Sequence, residues 1–255
     1  MKSESGQFTP DYYTHDDIAE KIISDLMQNS LNSLLADPTT TTFLKTSKMD
    51  NEISLQPLMI NKPSGFITSL GEASDATVIV KTSLGHGSGF IISNDGYIIT
   101  NYHVIAGTSI TKQENLTVIT SEGELLNAKI VRFDTDHDVA LLKVEKNFTH
   151  CFSLPLFQNY TMADDVSAIG APRSIELGQS LSKGILSSER KTNNNYLLQL
   201  NMSINGGNSG GPVFKNNGKD LIGVIDSKIV GTDVEGIAFC IPAYKILDYL
   251  KLQFQ

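Results

Sequence analysis

Tryptophan is absent from these 255 residues, cysteine occurs twice, and aromatic residues make up 7% of the chain. Two cysteines as far apart as Cys151 and Cys240 exclude a disulfide-dense scaffold and any cysteine-based zinc site. Positive charge is also short. The 20 Lys and Arg residues against 28 Asp and Glu give a formal charge of −8, the wrong sign for gripping nucleic acid. No apolar run approaches the roughly 18 residues of a membrane helix. None follows Lys2 near the start, so no secretory leader is read there, and the expectation is a cytoplasmic or otherwise intracellular, reducing location. The remainder, 40% hydrophobic and 19% charged, suffices for at least one buried core in one large domain or two small ones.

Glycine is scarce in front and common behind. Gly6 alone precedes Gly65, leaving 19 of the 20 glycines for the last three-quarters of the chain. In the glycine-poor part, apolar residues at 18, 19, 22, 23, 26, 27, 31, 34 and 35 follow a helical period. Thr14 with Asp17 resembles a capping box, and Asp37-Pro38 stops the run, so one acidic amphipathic helix is expected over about 16–36. It packs on its own domain or a neighbouring subunit, or serves as a regulatory segment. A polar, Thr-rich linker follows. Residues 1–70 are read as an extension and 71–255 as the main domain.

From Ala76 onward the chain is a series of short strand-like runs separated by turns such as Asn94-Asp95-Gly96 and Ser121-Glu122-Gly123. The first set is Thr77–Lys81, Gly89–Ile92, Tyr97–Thr100, Leu116–Thr120 and Val139–Val144. The second is Val166–Ile169, Gly184–Ser187, Tyr196–Leu200, Pro212–Phe214, Leu221–Asp226 and Gly236–Ile241. Two such groups predict an all-β domain, either two small barrels or a sandwich. Ile246, Leu247 and Leu250 mark a short C-terminal helix over 243–253.

Three segments carry chemistry: Gly87 to Ile105, which contains His103; Asp136 to Lys143, which contains Asp138; and Asn205 to Pro212, which contains Ser209. A serine hydroxyl is a poor nucleophile at neutral pH and needs a histidine to take its proton. The histidine needs a carboxylate to fix its tautomer and stabilise the imidazolium. Glycines around Ser209 let backbone N–H groups turn inward to hold an oxyanion, with Gly207, Asn208 and Ser209 as the segment that supplies them. Asp134 and Asp136 compete with Asp138, but the Val-Ala-Leu-Leu run after Asp138 places it at the start of a buried strand. The other histidines, His15, His86, His137 and His150, are read as loop residues. No metal-ligand spacing occurs, and neither metal nor cofactor is expected.

These segments resemble the trypsin-like serine proteases, and more closely the HtrA/Deg type. The likeness covers about residues 75–250 and includes Ala168 to Pro172, Gly184 to Ser187 and Gly236 to Pro242. It implies two six-stranded antiparallel barrels, at about 75–150 and 155–242, with the site in the cleft between them. It also implies catalytic roles for His103, Asp138 and Ser209, and a specificity pocket at Ser203, Asp226, Ser227 and Lys228. A neutral Ser203 offers no counter-charge to Lys or Arg, so a small or medium aliphatic side chain is the expected preference. Asn208 precedes the serine where an aspartate would pair with a freed N-terminal amine, so activation by chain cleavage is not expected. Ordering of loops near 172–180, 192–195 and 230–235, by a partner or by homo-oligomerisation through the N-terminal segment, is expected instead.

Two residues depart from the family pattern. Gly206 replaces a usual proline, and Asp226 stands where Thr or Ser is usual, close to the triad carboxylate. The expected function is a serine endopeptidase acting on proteins or peptides. The alternative is a catalytically weak or silent peptide-binding module of the same fold. An α/β-hydrolase esterase is disfavoured by the order His, Asp, Ser.

Overall fold

The computed structural model describes residues 56–106, 108, 116–171, 179–191, 196–228 and 236–255. The helix expected over 16–36 lies outside these residues, as do most of the three loops expected to order. The described chain starts with β1 (Leu58–Ile60) and α1 (Leu70–Asp75). The Ser69 side chain caps α1 by accepting from the Glu72 N–H, and Glu72 in turn accepts from the N–H and hydroxyl of Thr68.

Six strands then close the first barrel: β2 (Thr77–Lys81), β3 (His86–Ile91), β4 (Tyr97–Thr100), β5 (Thr117–Ile119), β6 (Leu125–Asp134) and β7 (Val139–Val144). Their order around the barrel is β2-β3-β4-β7-β6-β5. Between β4 and β5 lies the short helix α2 (Tyr102–Ile105). The second barrel is β8 (Asp165–Gly170), β9 (Ser180–Lys191), β10 (Tyr196–Asn201), β11 (Pro212–Lys215), β12 (Asp220–Lys228) and β13 (Ile237–Pro242). It closes in the order β10-β13-β12-β11-β8-β9. The strand groups therefore form two closed barrels and not a sandwich.

The period of two along a strand explains why β7 is buried on both faces apart from the half-buried Lys143. Ala140, Leu142 and Val144 fill the interior of the first barrel, while Val139 and Leu141 face the seam between the barrels. The seam is an aromatic joint. Phe152, in the connection between barrels, meets Phe90 of β3 edge-on at 5.5 Å and Phe214 of β11 at 5.7 Å.

Two expectations are corrected. Residues 56–255 form one compact unit, so the body starts at Gln56 and not at residue 71. The cause is β1, which pairs in parallel with a final strand, β14 (Leu252–Phe254). The C-terminal helix over 243–253 is also shorter than expected. A 3₁₀ turn at Ala243–Lys245 runs into α3 (Ile246–Tyr249), and Lys251 at φ 50° ends it before β14. Among the described residues no helix is long and apolar enough to cross a membrane.

Candidate active site

Strand β4 ends at Thr100, and Asn101 sits at the N-cap of α2, which places His103 on the rim between the barrels. The Asn101 amide donates to the Asp138 carbonyl at 3.0 Å. Asp138 adopts φ 52°, a left-handed conformation uncommon outside glycine, just before β7 begins. Its carboxylate reaches His103 twice. The His103 N–H donates to Oδ1 at 2.8 Å, and Nδ1 lies 2.6 Å from Oδ2. With Nδ1 donating to the carboxylate, Nε2 is the nitrogen that keeps a lone pair in the neutral ring.

The turn before Asp138 has its own anchor. The Asp134 carboxylate accepts from the N–H groups of Asp136 at 2.9 Å and His137 at 3.0 Å, and pairs with His137 Nδ1 at 2.8 Å. The His137 ring stacks on Tyr249 of α3 at 3.7 Å and 9° between planes. Asp134 is therefore committed to the turn, and Asp138 is the carboxylate on His103. The hydrogen bond to Asp138 holds the His103 imidazole above its ordinary pKa; partial burial opposes this, and the charges of Asp138 and Asp226 add to it.

The serine loop is stitched to the first barrel through β3. Ser88 is fully buried; its hydroxyl donates to the Gly207 carbonyl at 2.7 Å and accepts from the Ala171 N–H at 3.0 Å. Its own N–H donates to the Ser209 carbonyl at 2.7 Å. Gly207 has φ 96°, and a Cβ there would sit 2.2 Å from the Ala171 carbonyl oxygen, so only glycine fits. His86 Nε2 lies 3.1 Å from that same oxygen. The Asn208 N–H donates to the Asn205 carbonyl at 3.1 Å. That removes Asn208 from the three amides expected to face an oxyanion. Its side chain is buried at 4% exposure, with Oδ1 lacking a hydrogen-bond partner.

The Ser209 hydroxyl donates to the main-chain carbonyl of Asp226 at 3.1 Å. Asp226 is the residue skipped where the β12–β13 register shifts between Ile225 and Ser227. Such a bulge re-aims a side chain. Here one side-chain atom each of Asp226, His103 and Asp138, a ring nitrogen and two carboxylate oxygens, lie within 4.8 Å of one another. Asp226 thus borders the His103–Asp138 pair, close to the Asp138 carboxylate as its place in the sequence suggested, and it was also expected among the pocket residues. Of the other pocket candidates, Ser203 is exposed between β10 and the serine loop. Ser227 and Lys228 pair through their backbones with Phe239 and Ala238, and their side chains lie outside the described residues. The roles of Ser88, His86, Asn101 and Asp134 were missed in the sequence. The Gly87-Ser88-Gly89 motif was visible there, but nothing in it shows a hydroxyl pointing across the cleft.

Both cysteines are free and buried, with the Cys151 thiol pushed up to about 12 by burial and Cys240 pushed up further. They supply no nucleophile near neutral pH.

Comparison with known proteins matches residues 87–224 to the trypsin-like peptidase domain. A Pseudomonas fulva protein named probable periplasmic serine endoprotease DegP-like is 38% identical over 174 residues, covering 65% of this chain and 34% of its own. The Lactococcus lactis protein named serine protease Do-like HtrA is 32% identical over 186 residues, covering 65% of this chain and 44% of its own. A solved structure titled HtrA-type protease AlgW with tripeptide superposes with a TM-score of 0.61 at 28% identity, covering 71% of this chain and 62% of that one. The chain thus spans about a third of the length of the DegP-like relatives it matches. Their periplasmic naming overturns the expected cytoplasmic or intracellular location, which rested only on the lack of an apolar stretch after Lys2.

Proposed function

The chain belongs to the trypsin-like peptidase family, and from that we propose that it is a serine endopeptidase working through His103, Asp138 and Ser209. Ser209 Oγ attacks the carbonyl carbon of a peptide bond while His103 Nε2 takes its proton. Asp138 holds the ring through Nδ1 and stabilises the imidazolium. The amides of Gly207 and Ser209 bind the oxyanion, each donor contributing about 3–4 kcal/mol to the transition state. Collapse of the tetrahedral intermediate leaves an acyl group on Ser209, and the imidazolium protonates the departing amine. Water then enters with His103 again as base, and the carboxylic acid is released.

The observation that carries this reading is the 2.6 Å contact between His103 and Asp138 beside a serine that docks on the carbonyl of their neighbour Asp226. The AlgW neighbour holds a tripeptide, which supports a peptide as the occupant of the cleft. For this chain the substrate class is protein or peptide, with a small or medium aliphatic residue before the scissile bond at Ser203. The relatives' names support a periplasmic setting. Ordering of the cleft loops by a partner, or by a second copy through the N-terminal segment, completes the proposal.

The test is digestion of an unfolded protein such as reduced casein, followed by mass spectrometry of the new termini. Cleavage that is lost in Ser209→Ala and rises per chain with enzyme concentration is the expected result. Cuts mainly after Lys or Arg would overturn the pocket assignment, and equal activity at all dilutions would overturn self-assembly as the trigger.

A further inference from the structure

Asp226 touches both halves of the proposed machinery. Its main-chain oxygen accepts the Ser209 hydroxyl at 3.1 Å, and its carboxylate approaches the imidazole that Asp138 already holds. The bulge at Ile225/Ser227 produces this double role by turning one residue of β12 out of the ladder and toward the cleft. We propose that Asp226 is a positioning residue for the proposed hydrolysis, whose carboxylate favours the imidazolium form of His103 and so moves the onset of activity to higher pH. The inference rests on the serine-peptidase reading and adds a built-in pH threshold to it.

The charge state of His103 is set by its neighbours. Among the described residues, the charged groups that act on the ring are Asp138, from the turn before β7, and Asp226, from β12. Asp134 lies in the same turn but is paired with His137. Two carboxylates and a neutral ring leave two like charges within a few ångströms of each other. A proton on the ring sits between them and offsets that repulsion. An imidazolium has no lone pair with which to take the Ser209 proton. The Ser209 hydroxyl meanwhile donates to the Asp226 carbonyl, where its proton is not offered to the ring. His103 is raised first by its hydrogen bond to Asp138 and further by the charge of Asp226, which agrees in direction. The side chain of His103 is 49% exposed, so proton exchange with solvent is open and the ring follows bulk pH.

A general base works only when neutral, so a neighbour that favours the charged ring moves the acid limb of kcat/KM to higher pH. Removing the carboxylate moves that limb to lower pH and raises activity several-fold on the acid side of the wild-type profile. The conservative change Asp226→Asn keeps the shape, and Asp226→Thr removes both charge and length.

The experiment has two arms. In the first, the His103 ring is titrated by NMR between about pH 5 and pH 9 in a Ser209→Ala background, with and without Asp226→Asn as the only further change. This arm needs no activity. A midpoint that moves to lower pH on loss of the carboxylate supports the proposal, and an unchanged midpoint overturns it. In the second arm, kcat/KM is measured against pH for wild type, Asp226→Asn and Asp226→Thr. The acid limb should move to lower pH in both variants, and a uniform loss without a shift of the limb would overturn the proposal. A protein inactive at every pH whose His103 midpoint still moves would sink the peptidase reading while leaving the electrostatic role of Asp226 in place.

Discussion

Ser88 is one hydroxyl that holds two strands of different barrels in register with the serine loop. It donates to Gly207 and accepts from Ala171 while fully buried, so its removal takes a partner from the half-buried Gly207 carbonyl and from the buried Ala171 N–H. Each such group costs about 1–3 kcal/mol. The larger effect is on aim, because Gly207 carries an amide assigned to the oxyanion. Ser88→Ala should lower kcat by up to about 10²-fold, the cost of a misplacement near 1 Å, while KM changes little. Steady-state kinetics on a peptide amide checks this, and a rise in KM at constant kcat would contradict it. The residues proposed to do the chemistry were legible in the sequence as types and spacing, since His103, Asp138 and Ser209 each sit in a distinctive segment. The residues that aim them were not. Ser88, Asn101 and Asp134 act through hydrogen bonds to groups that are distant in sequence or set by turn geometry, and spacing along the chain does not encode those.

The turn at 134–138 shows how an element, and not a single residue, presents a catalytic candidate. Asp138 occupies a left-handed conformation at φ 52° that the turn must stabilise. Asp134 does so with bonds to the N–H groups of Asp136 and His137 and to the His137 ring, which Tyr249 of α3 covers. Asp134→Ala should therefore destabilise the fold by about 1–3 kcal/mol and lower kcat, although Asp134 is engaged with its own turn. Urea unfolding together with kinetics checks this; unchanged kcat at reduced stability would show that the turn does not aim Asp138. Several strands were readable with their true limits, including β2, β4 and β7, because their apolar runs are bounded by turn residues. Strand β6 was not read. Its residues are mostly exposed or half-buried, with Ala128 and Ile130 as its buried apolar points before the register shifts at Arg132. The last strand was read as the end of a helix, because Ile246, Leu247 and Leu250 follow helical spacing and Leu252, buried in the same core, comes directly after them.

At the scale of the molecule, the two barrels meet across the Phe90–Phe152–Phe214 joint, and the cleft residues come from both sides of it. His103 and Asp138 belong to the first barrel, while Ser209 and Asp226 belong to the second. Arg132 closes the body at its far end, donating to the carbonyls of Gln56, Leu250 and Lys251 and so tying β6 to the start of the body and to the segment before β14. Two groups of short strands were legible in the sequence and the family resemblance implied that they close as barrels, whereas the parallel β1–β14 pairing was not legible, since it joins segments nearly 200 residues apart. What this architecture is for comes down to whether Ser209 is a nucleophile activated by His103. Incubating the full chain with a fluorophosphonate above neutral pH and locating the adduct by mass spectrometry asks this directly. The expected result is a single phosphonylated residue, Ser209, with labelling lost in Ser209→Ala and strongly slowed in His103→Ala. A folded wild-type protein that takes up no label across the pH range and in the presence of peptide would contradict it.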